Sequence, residues 1–306
     1  MDVLSEVLRV AGVRGTLGAC VEAGGRWAVA GEDGSAAGLH AVITGEAWLT
    51  RAGHPPLRLS GGDVILLAAG VRYALGDAPG SPVTACDAGE LARSRRTGEP
   101  VRFGTSAPDT RIITIAYDCD HTVRTQPLFA LPELMHARGG TGADGLDDTV
   151  RMLGRELARP QIATTAVLAS LVDIVLVQVL RAWLPTGAGD RRGTWLGVMS
   201  DPVVHRALQH IHADPARRWT TETLAAAIAV SRSTLTRRFP AAVGQAPAAY
   251  LTQWRLDLAA RRLCTTDQPV ESIAADVGYN SVPAFSRAFA RSHGAAPGRY
   301  RTMHRR

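Results

Sequence analysis

The sequence predicts an α+β protein. Its first half reads as a small β-barrel with helices appended, and its second half as an all-α domain of two helix-turn-helix units joined by a long helix. Three observations carry this prediction. Short apolar runs separated by Gly, Pro and Asp extend from about Thr16 to Thr114. Helical periodicity takes over after about Leu128. A fixed-offset repeat then fills the last third of the chain.

Asp2–Ala11 predicts a short leading helix. The strands expected next are Trp27–Ala30, Leu39–Ile43, Ala47–Arg51, Leu57–Leu59, Val64–Ala68, Val71–Leu75 and Arg111–Ala116. Strands this short at this spacing form sandwiches or small barrels. Leu146–Ala158 reads as a helix, and so does Thr164–Leu184. In the second, Leu168, Leu171, Val172, Val175 and Val179 recur at helical spacing, while Val167, Leu176, Val177 and Leu180 occupy the other faces. A helix apolar nearly all round is covered on more than one side. The barrel is the expected cover on one side; a second subunit or the rest of the same chain is the other. Asp173, Gln178 and Arg181 would sit at membrane depth at high cost, so no spanning helix is expected. Pro185–Gly193 has the composition of a linker. The expected domains are therefore 1–185, a linker at 186–197, and 198–306.

All 34 basic residues of the 306 are Arg. From residue 198 onward, 15 Arg face 7 Asp and Glu, a net +8, whereas the remainder carries −2. A basic terminal domain on a slightly acidic body predicts a polyanionic partner such as nucleic acid. The opening MDVLSEVLRVAGVRG has acidic residues and no long apolar run, unlike a secretory leader. Cys20, Cys86, Cys119 and Cys264 are scattered without a CxxC pair, which fits a reducing cytoplasm and no zinc framework.

Arg237, Phe239, Gly244, Ala246, Pro247 and Tyr250 are echoed 50 residues later by Arg287, Phe289, Gly294, Ala296, Pro297 and Tyr300. Upstream, Leu224-Ala-Ala and Ile228 are echoed by Ile273-Ala-Ala and Val277 at an offset of 49. Each copy reads as a helix-turn-helix. In the first, Thr220 or Thr221 caps a helix to Ala229, the turn centres on Val230, and Ser231 caps a second helix to about Phe239. Arg232, Ser233, Thr236 and Arg237 face outward. In the second, Val270–Val277 precedes the turn Gly278-Tyr279-Asn280, where glycine admits a positive φ. Ser281 caps the following helix, with Val282 and Pro283 at its tip and Ser286, Arg287 and Arg291 outward. A reading helix with short polar and Arg side chains suits the major groove of double-stranded promoter DNA. Arg232 and Arg237 are the expected guanine readers. Ser281, Val282, Ser286 and Arg287 of the second unit predict anchoring, thymine-methyl contact and one strong reader. A module of helix hairpins that binds protein is the competing reading.

Residues 201–301 resemble the AraC/XylS family of transcription regulators. The resemblance rests on LAAAIAVSRSTLTRRF, on GQAPAAYLTQWRLDLAARRL, and most specifically on ESIAADVGYNSVPAFSRAFARSHGAAPGRYR. It implies that the helix Pro247–Leu263, with Tyr250, Leu251, Trp254, Leu258 and Leu263 apolar, rigidly connects two reading helices one DNA turn apart. It also implies RNA polymerase as a partner and a homodimer as the working form. Val282 and Pro283 depart from the polar residues often found there.

HAVITGEAWLT at 40–50 and LSGGDVILLAAGVRYAL at 59–75 are similar to the two cupin motifs, with LPELMH and LVDIVLVQVLRAWL continuing the match. Cupins often hold a metal on several His and a carboxylate. Here His40 matches, but Tyr73 stands at the usual second-motif His and Ala68 at the usual Pro, so no metal, cofactor or catalysis is expected. The rival reading is a cupin enzyme fused to a helical module. Two sensing readings stay open. A small-molecule effector would lie among His40, Trp48 and Tyr73. Alternatively, Cys20 and Cys86 would report an oxidant or an electrophile, if nearby Arg or His lowers a thiol pKa.

Overall fold

A computed structural model describes residues 3–31, 36–85, 87–118, 132–140, 145–183, 198 and 201–305. The predicted linker at 186–197 and Cys86 and Cys119 lie outside the described residues. The described chain forms two compact units. One holds residues 14–118 and 132–183. The other holds the leading helix and the chain from residue 198 onward.

The first unit is built on two sheets. A six-stranded sheet is formed by β1 (Arg14–Gly24), β3 (Ala37–Thr44), β6 (Val64–Leu67), β8 (Val101–Gly104), β9 (Thr110–Asp118) and β10 (Leu134–Ala137). Their order is β10-β6-β3-β9-β1-β8, antiparallel except for β1 with β8. A four-stranded sheet is formed by β2 (Ala28–Gly31), β7 (Tyr73–Gly76), β4 (Glu46–Thr50) and β5 (Leu57–Ser60), paired in that order. The core lies between the sheets. Val21, Val42, Ile65, Leu67 and Ile112 from one sheet meet Ala47, Leu49, Leu59 and Leu75 from the other. Each of these Val, Leu and Ile side chains contributes roughly 1.5–3 kcal/mol when fully buried.

Helix α2 (Ala88–Thr97) packs on β1 and β8, α3 (Leu146–Ala158) on β3, and α4 (Thr164–Trp183) on α3, β1 and β10. α4 is long and apolar enough to cross a membrane by length and composition alone. In the fold, its Leu168, Leu171, Val172, Val175, Val179 and Leu180 are buried. The Tyr117 hydroxyl donates to the Val172 carbonyl at 2.6 Å, which ties α4 to β9. Val167 and Ile174 on another face of α4 stay exposed.

Several elements differ from the sequence-based expectation. β8 and α2 are not anticipated, and β1 falls where short strands are expected from about Thr16 but is not among those singled out. β1 mixes Gly, Ala and Cys with few large apolar residues, so its alternation is weak. α2 is polar throughout and is set by its ends: the Asp87 carboxylate caps Gly89 and Glu90, and Gly98 closes the helix at φ 74°. Residues 134–137 form strand β10 rather than helix, because pairing with β6 buries Met135 and Ala137.

The second unit begins with α1 (Val3–Val10), which buries Val3, Leu4, Val7 and Val10 and packs against α5 (Pro202–Ala213) and α8 (Pro247–Thr265). The sequence-based boundary places α1 with the barrel. In the structure its apolar stripe is covered by the helices that follow residue 198. The remaining helices are α6 (Thr221–Ala227), α7 (Arg232–Val243), α9 (Val270–Asp276), α10 (Val282–His293) and α11 (Pro297–His304). The connector α8 contacts α7 on one side of the repeat and α9, α10 and α11 on the other.

Candidate nucleic-acid interface and sensor cavity

The duplication is visible in the packing. Phe239 and Tyr250 meet edge to face in the first copy, with ring centroids 5.9 Å apart at 71°. Phe289 and Tyr300 repeat the contact at 5.2 Å and 84°. Gly244 and Gly294 end α7 and α10 in the left-handed region, and Pro247 and Pro297 begin the helices that follow. The polar core differs between copies. In the first, buried His212 stacks on Trp254 at 3.9 Å, and its Nε2 lies 2.7 Å from the Tyr250 hydroxyl. Burial, then the neighbouring His205, pushes the His212 pKa down to about 3, so the ring is neutral. In the second, the buried His293 side chain lies 3.3 Å from Asp257 Oδ1, which accepts from Gln253 at 2.8 Å.

The helix starts follow the capping rules. Thr220 and Thr223 form a reciprocal capping box at α6, which settles the cap between the two threonines. Ser231 Oγ accepts from the Thr234 amide at 3.1 Å, and Ser281 Oγ from the Ala284 amide at 3.4 Å. The first turn is centred one residue earlier than predicted. Ala229 takes φ 56°, the role of Gly278 at φ 84° in the second copy.

On α7, Arg232, Ser233, Thr236 and Arg237 are all exposed. They are not equally free. Arg232 Nε lies 3.0 Å from Glu222, and Ser233 Oγ lies 2.9 Å from the capping Ser231. Neither Arg237 nor Arg287 has an ion-pair partner among the described residues. On α10, Ser281 and Arg287 are exposed, while Val282 and Ser286 are half-buried. Arg238, next in sequence to Arg237, turns the other way and pairs with the Asp201 carboxylate at 2.8 Å, the same carboxylate that caps α5.

Sequence reasoning missed Arg255. From α8 it donates to three carbonyls of the loop before α6: Pro215 at 2.6 Å, Ala216 at 3.2 Å and Arg217 at 2.9 Å. The turn of the second copy docks on the same loop, since a Cβ on Gly278 would come within 2.6 Å of the Ala216 carbonyl oxygen. The loop of one unit, the turn of the other and the connector therefore meet at one point. In the sequence Arg255 is one Arg among several on an amphipathic helix, and no spacing marks it.

The β unit holds a half-open cavity of about 380 Å³. His40 and Tyr73 both line it, brought together by neighbouring strands of opposite sheets, with His40 Nε2 2.6 Å from the Tyr73 hydroxyl. Burial pushes the His40 pKa down to about 4 and that of Tyr73 up to about 12, so both are neutral. The Tyr73 ring lies against Gly31, where any Cβ would overlap it. Thr114 Oγ1 bonds both the amide and the carbonyl of Ala19, bridging the bulge in β1 beside the cavity. Trp48 does not line the cavity. Side chains alternate along β4, Ala47 and Leu49 take the core face, and Trp48 points to the other. Trp27, just before β2, supplies the cavity's indole instead.

Cys20 is buried on β1 opposite Ile113. Burial pushes its thiol pKa up, and Arg111 only partly offsets this. Cys264 is half-buried against the core of the second copy. Among the described residues no group of three or more His, Cys, Asp or Glu is placed to hold a metal.

A cupin-type β unit followed by a paired helix-turn-helix unit is the architecture of a DNA-binding transcription regulator. Residues 2–185 match a family model described as Cupin, and residues 224–303 match one described as Helix-turn-helix domain. A putative AraC-like transcription regulator of Streptomyces antibioticus is 37% identical over 304 residues, covering 98% of each chain. The HTH-type transcriptional regulator AlkR of Acinetobacter baylyi is 28% identical over 305 residues, covering 98% of this chain and 99% of its own. Among solved structures, the DNA-binding domain of AdpA in complex with a target DNA is 33% identical. It covers 34% of this chain and 92% of that one, with a TM-score of 0.32. The chain belongs to the AraC family of transcription regulators, with a cupin-type N-terminal domain.

Proposed function

We propose that this protein binds promoter DNA sequence-specifically through α7 and α10, and that a small molecule held by the β unit controls that binding. One observation carries the DNA half. Arg237 and Arg287 stand at equivalent positions of the repeat, exposed and without an ion-pair partner among the described residues, on helices packed against one connector. Arg237 and Thr236 read bases, Arg232 joins them by leaving Glu222, and Ser233 stays near the cap. In the second copy Arg287 reads, Val282 offers methyl contact, and Ser281 and Ser286 position the helix on phosphates. Readout is therefore lopsided. The working form is a cytoplasmic homodimer that contacts RNA polymerase; the exposed Val167 and Ile174 on α4, with Met152 on α3, offer apolar surface for the second subunit.

Fluorescence anisotropy against DNA from its own promoter regions tests this reading. Affinity should fall steeply with salt and concentrate on one sequence. A salt-independent, sequence-blind signal would overturn it in favour of a protein-binding module.

The mainly apolar cavity favours a small molecule over a thiol as the signal. A buried thiol with a raised pKa is a poor nucleophile toward oxidants. Mild oxidation with and without Cys20→Ser decides the point. Unchanged DNA affinity in both is expected, and a loss abolished by Cys20→Ser would restore the thiol switch.

A further inference from the structure

We propose that the cavity of the β unit selects an uncharged, mainly apolar molecule of about a dozen non-hydrogen atoms that carries a hydroxyl or carbonyl oxygen, received by the His40–Tyr73 pair. This inference rests on the small-molecule reading above and names its ligand class.

Three observations lead there. The first is size: about 380 Å³ holds roughly a dozen groups at the ~30 Å³ that a water occupies in the liquid. The second is polarity. Among the described residues no Asp, Glu or Arg lines the cavity; its wall is mainly Ala, Gly and aliphatic side chains with Trp27 and Phe103, and its polar side chains are Thr114, His40 and Tyr73. An ionised ligand would lose its hydration with no countercharge in return, a heavy penalty. Sugars fail as well, because several hydroxyls would find few partners.

The third observation is the proton inventory of the pair. His40 Nδ1 is buried and has no hydrogen-bond partner among the described residues. Its Nε2 is taken by Tyr73. A neutral imidazole and a neutral phenol hold two protons between them, and their mutual bond uses one. If the phenol donates to Nε2, Nδ1–H remains free. If Nε2–H donates to the phenol oxygen, the phenol O–H remains free. Either tautomer leaves one donor, which calls for one acceptor oxygen on the ligand. Left unmet, a buried polar atom of this kind is costly; His212, paired with Tyr250, has the same unpartnered Nδ1 inside a packed helical core, and what sets the His40–Tyr73 pair apart is that both residues line a cavity.

Calorimetric titration of the full-length protein at neutral pH with 1-octanol, octanoate and octylammonium tests the class. Octanol should bind at least about tenfold more tightly than either charged probe. Tyr73→Phe keeps the ring and should weaken octanol about 2- to 10-fold, the worth of one hydrogen bond. Ala116→Leu narrows the cavity through a wall residue outside the pair, across the strand from Gly38, and should abolish octanol binding while the protein stays folded. Octanoate or octylammonium binding best, and lost in Ala116→Leu, would overturn the ligand class but keep the cavity as the sensor. Octanol binding unaffected by Ala116→Leu, or no binding by any probe, would overturn both.

Discussion

Ala229 and Gly278 hold the same left-handed backbone, φ 56° and φ 84°, at equivalent turns of the two helix-turn-helix copies. One turn uses the residue suited to that conformation and the other does not. A non-glycine residue there carries about 1–2 kcal/mol of strain, whereas glycine adds about 0.5–1 kcal/mol of unfolded-state entropy. Ala229→Gly should therefore stabilise the protein by up to about 1 kcal/mol. Gly278→Ala should destabilise it by about 2 kcal/mol or more, since its Cβ also meets the Ala216 carbonyl. Urea unfolding of the two variants checks both signs.

Arg237 and Arg232 should behave differently on DNA. Arg237→Ala should cost about 1–3 kcal/mol and relax one base preference. Arg232→Ala should cost less, because Glu222 competes for its guanidinium. Glu222→Gln should then tighten binding. Anisotropy titrations with single-base variants of the bound site separate a reader from a phosphate contact: the latter loses affinity uniformly.

Arg255 should set the spacing of the two reading helices. Arg255→Ala removes bonds to three loop carbonyls, at a cost of about 1–3 kcal/mol in stability. Its affinity for a complete site should fall more than for a half-site. Equal losses on both would mean that Arg255 acts on folding alone.

His212 should make the protein sensitive to mild acid. The ring is neutral in the fold, with a pKa of about 3, and takes a proton near its ordinary 6.5 when unfolded. Between those values the unfolded state binds more protons, so stability falls as pH drops from about 6.5. At pH 5 this amounts to about 2 kcal/mol. His212→Phe keeps the stacking on Trp254 but cannot titrate. Its melting temperature should be lower at pH 7.5, yet fall less than the parent's between pH 7 and pH 5.

The sequence by itself determined the paired helix-turn-helix unit almost to the residue. Its signals are local: caps at Ser231 and Ser281, glycines at Gly244 and Gly294, and apolar spacing of three and four. Duplication wrote each of them twice. The excess of Arg beyond residue 198 pointed to a polyanion for the same reason, since charge is additive along a chain.

Only the tertiary structure decided what depends on residues far apart. β1 and β10 became strands because β9 and β6 lie beside them, not through their own composition. Trp48 left the cavity and Trp27 entered it because a strand's pleat assigns alternate faces, and a wrong parity reverses the assignment. α1 joined the helices beyond residue 198 because its buried stripe needs a cover its own sequence does not name. The pairing of His40 with Tyr73, 33 residues apart, and of Arg255 with a loop about 40 residues away, was set by how sheets and helices stack. Such contacts leave no periodic trace in the chain.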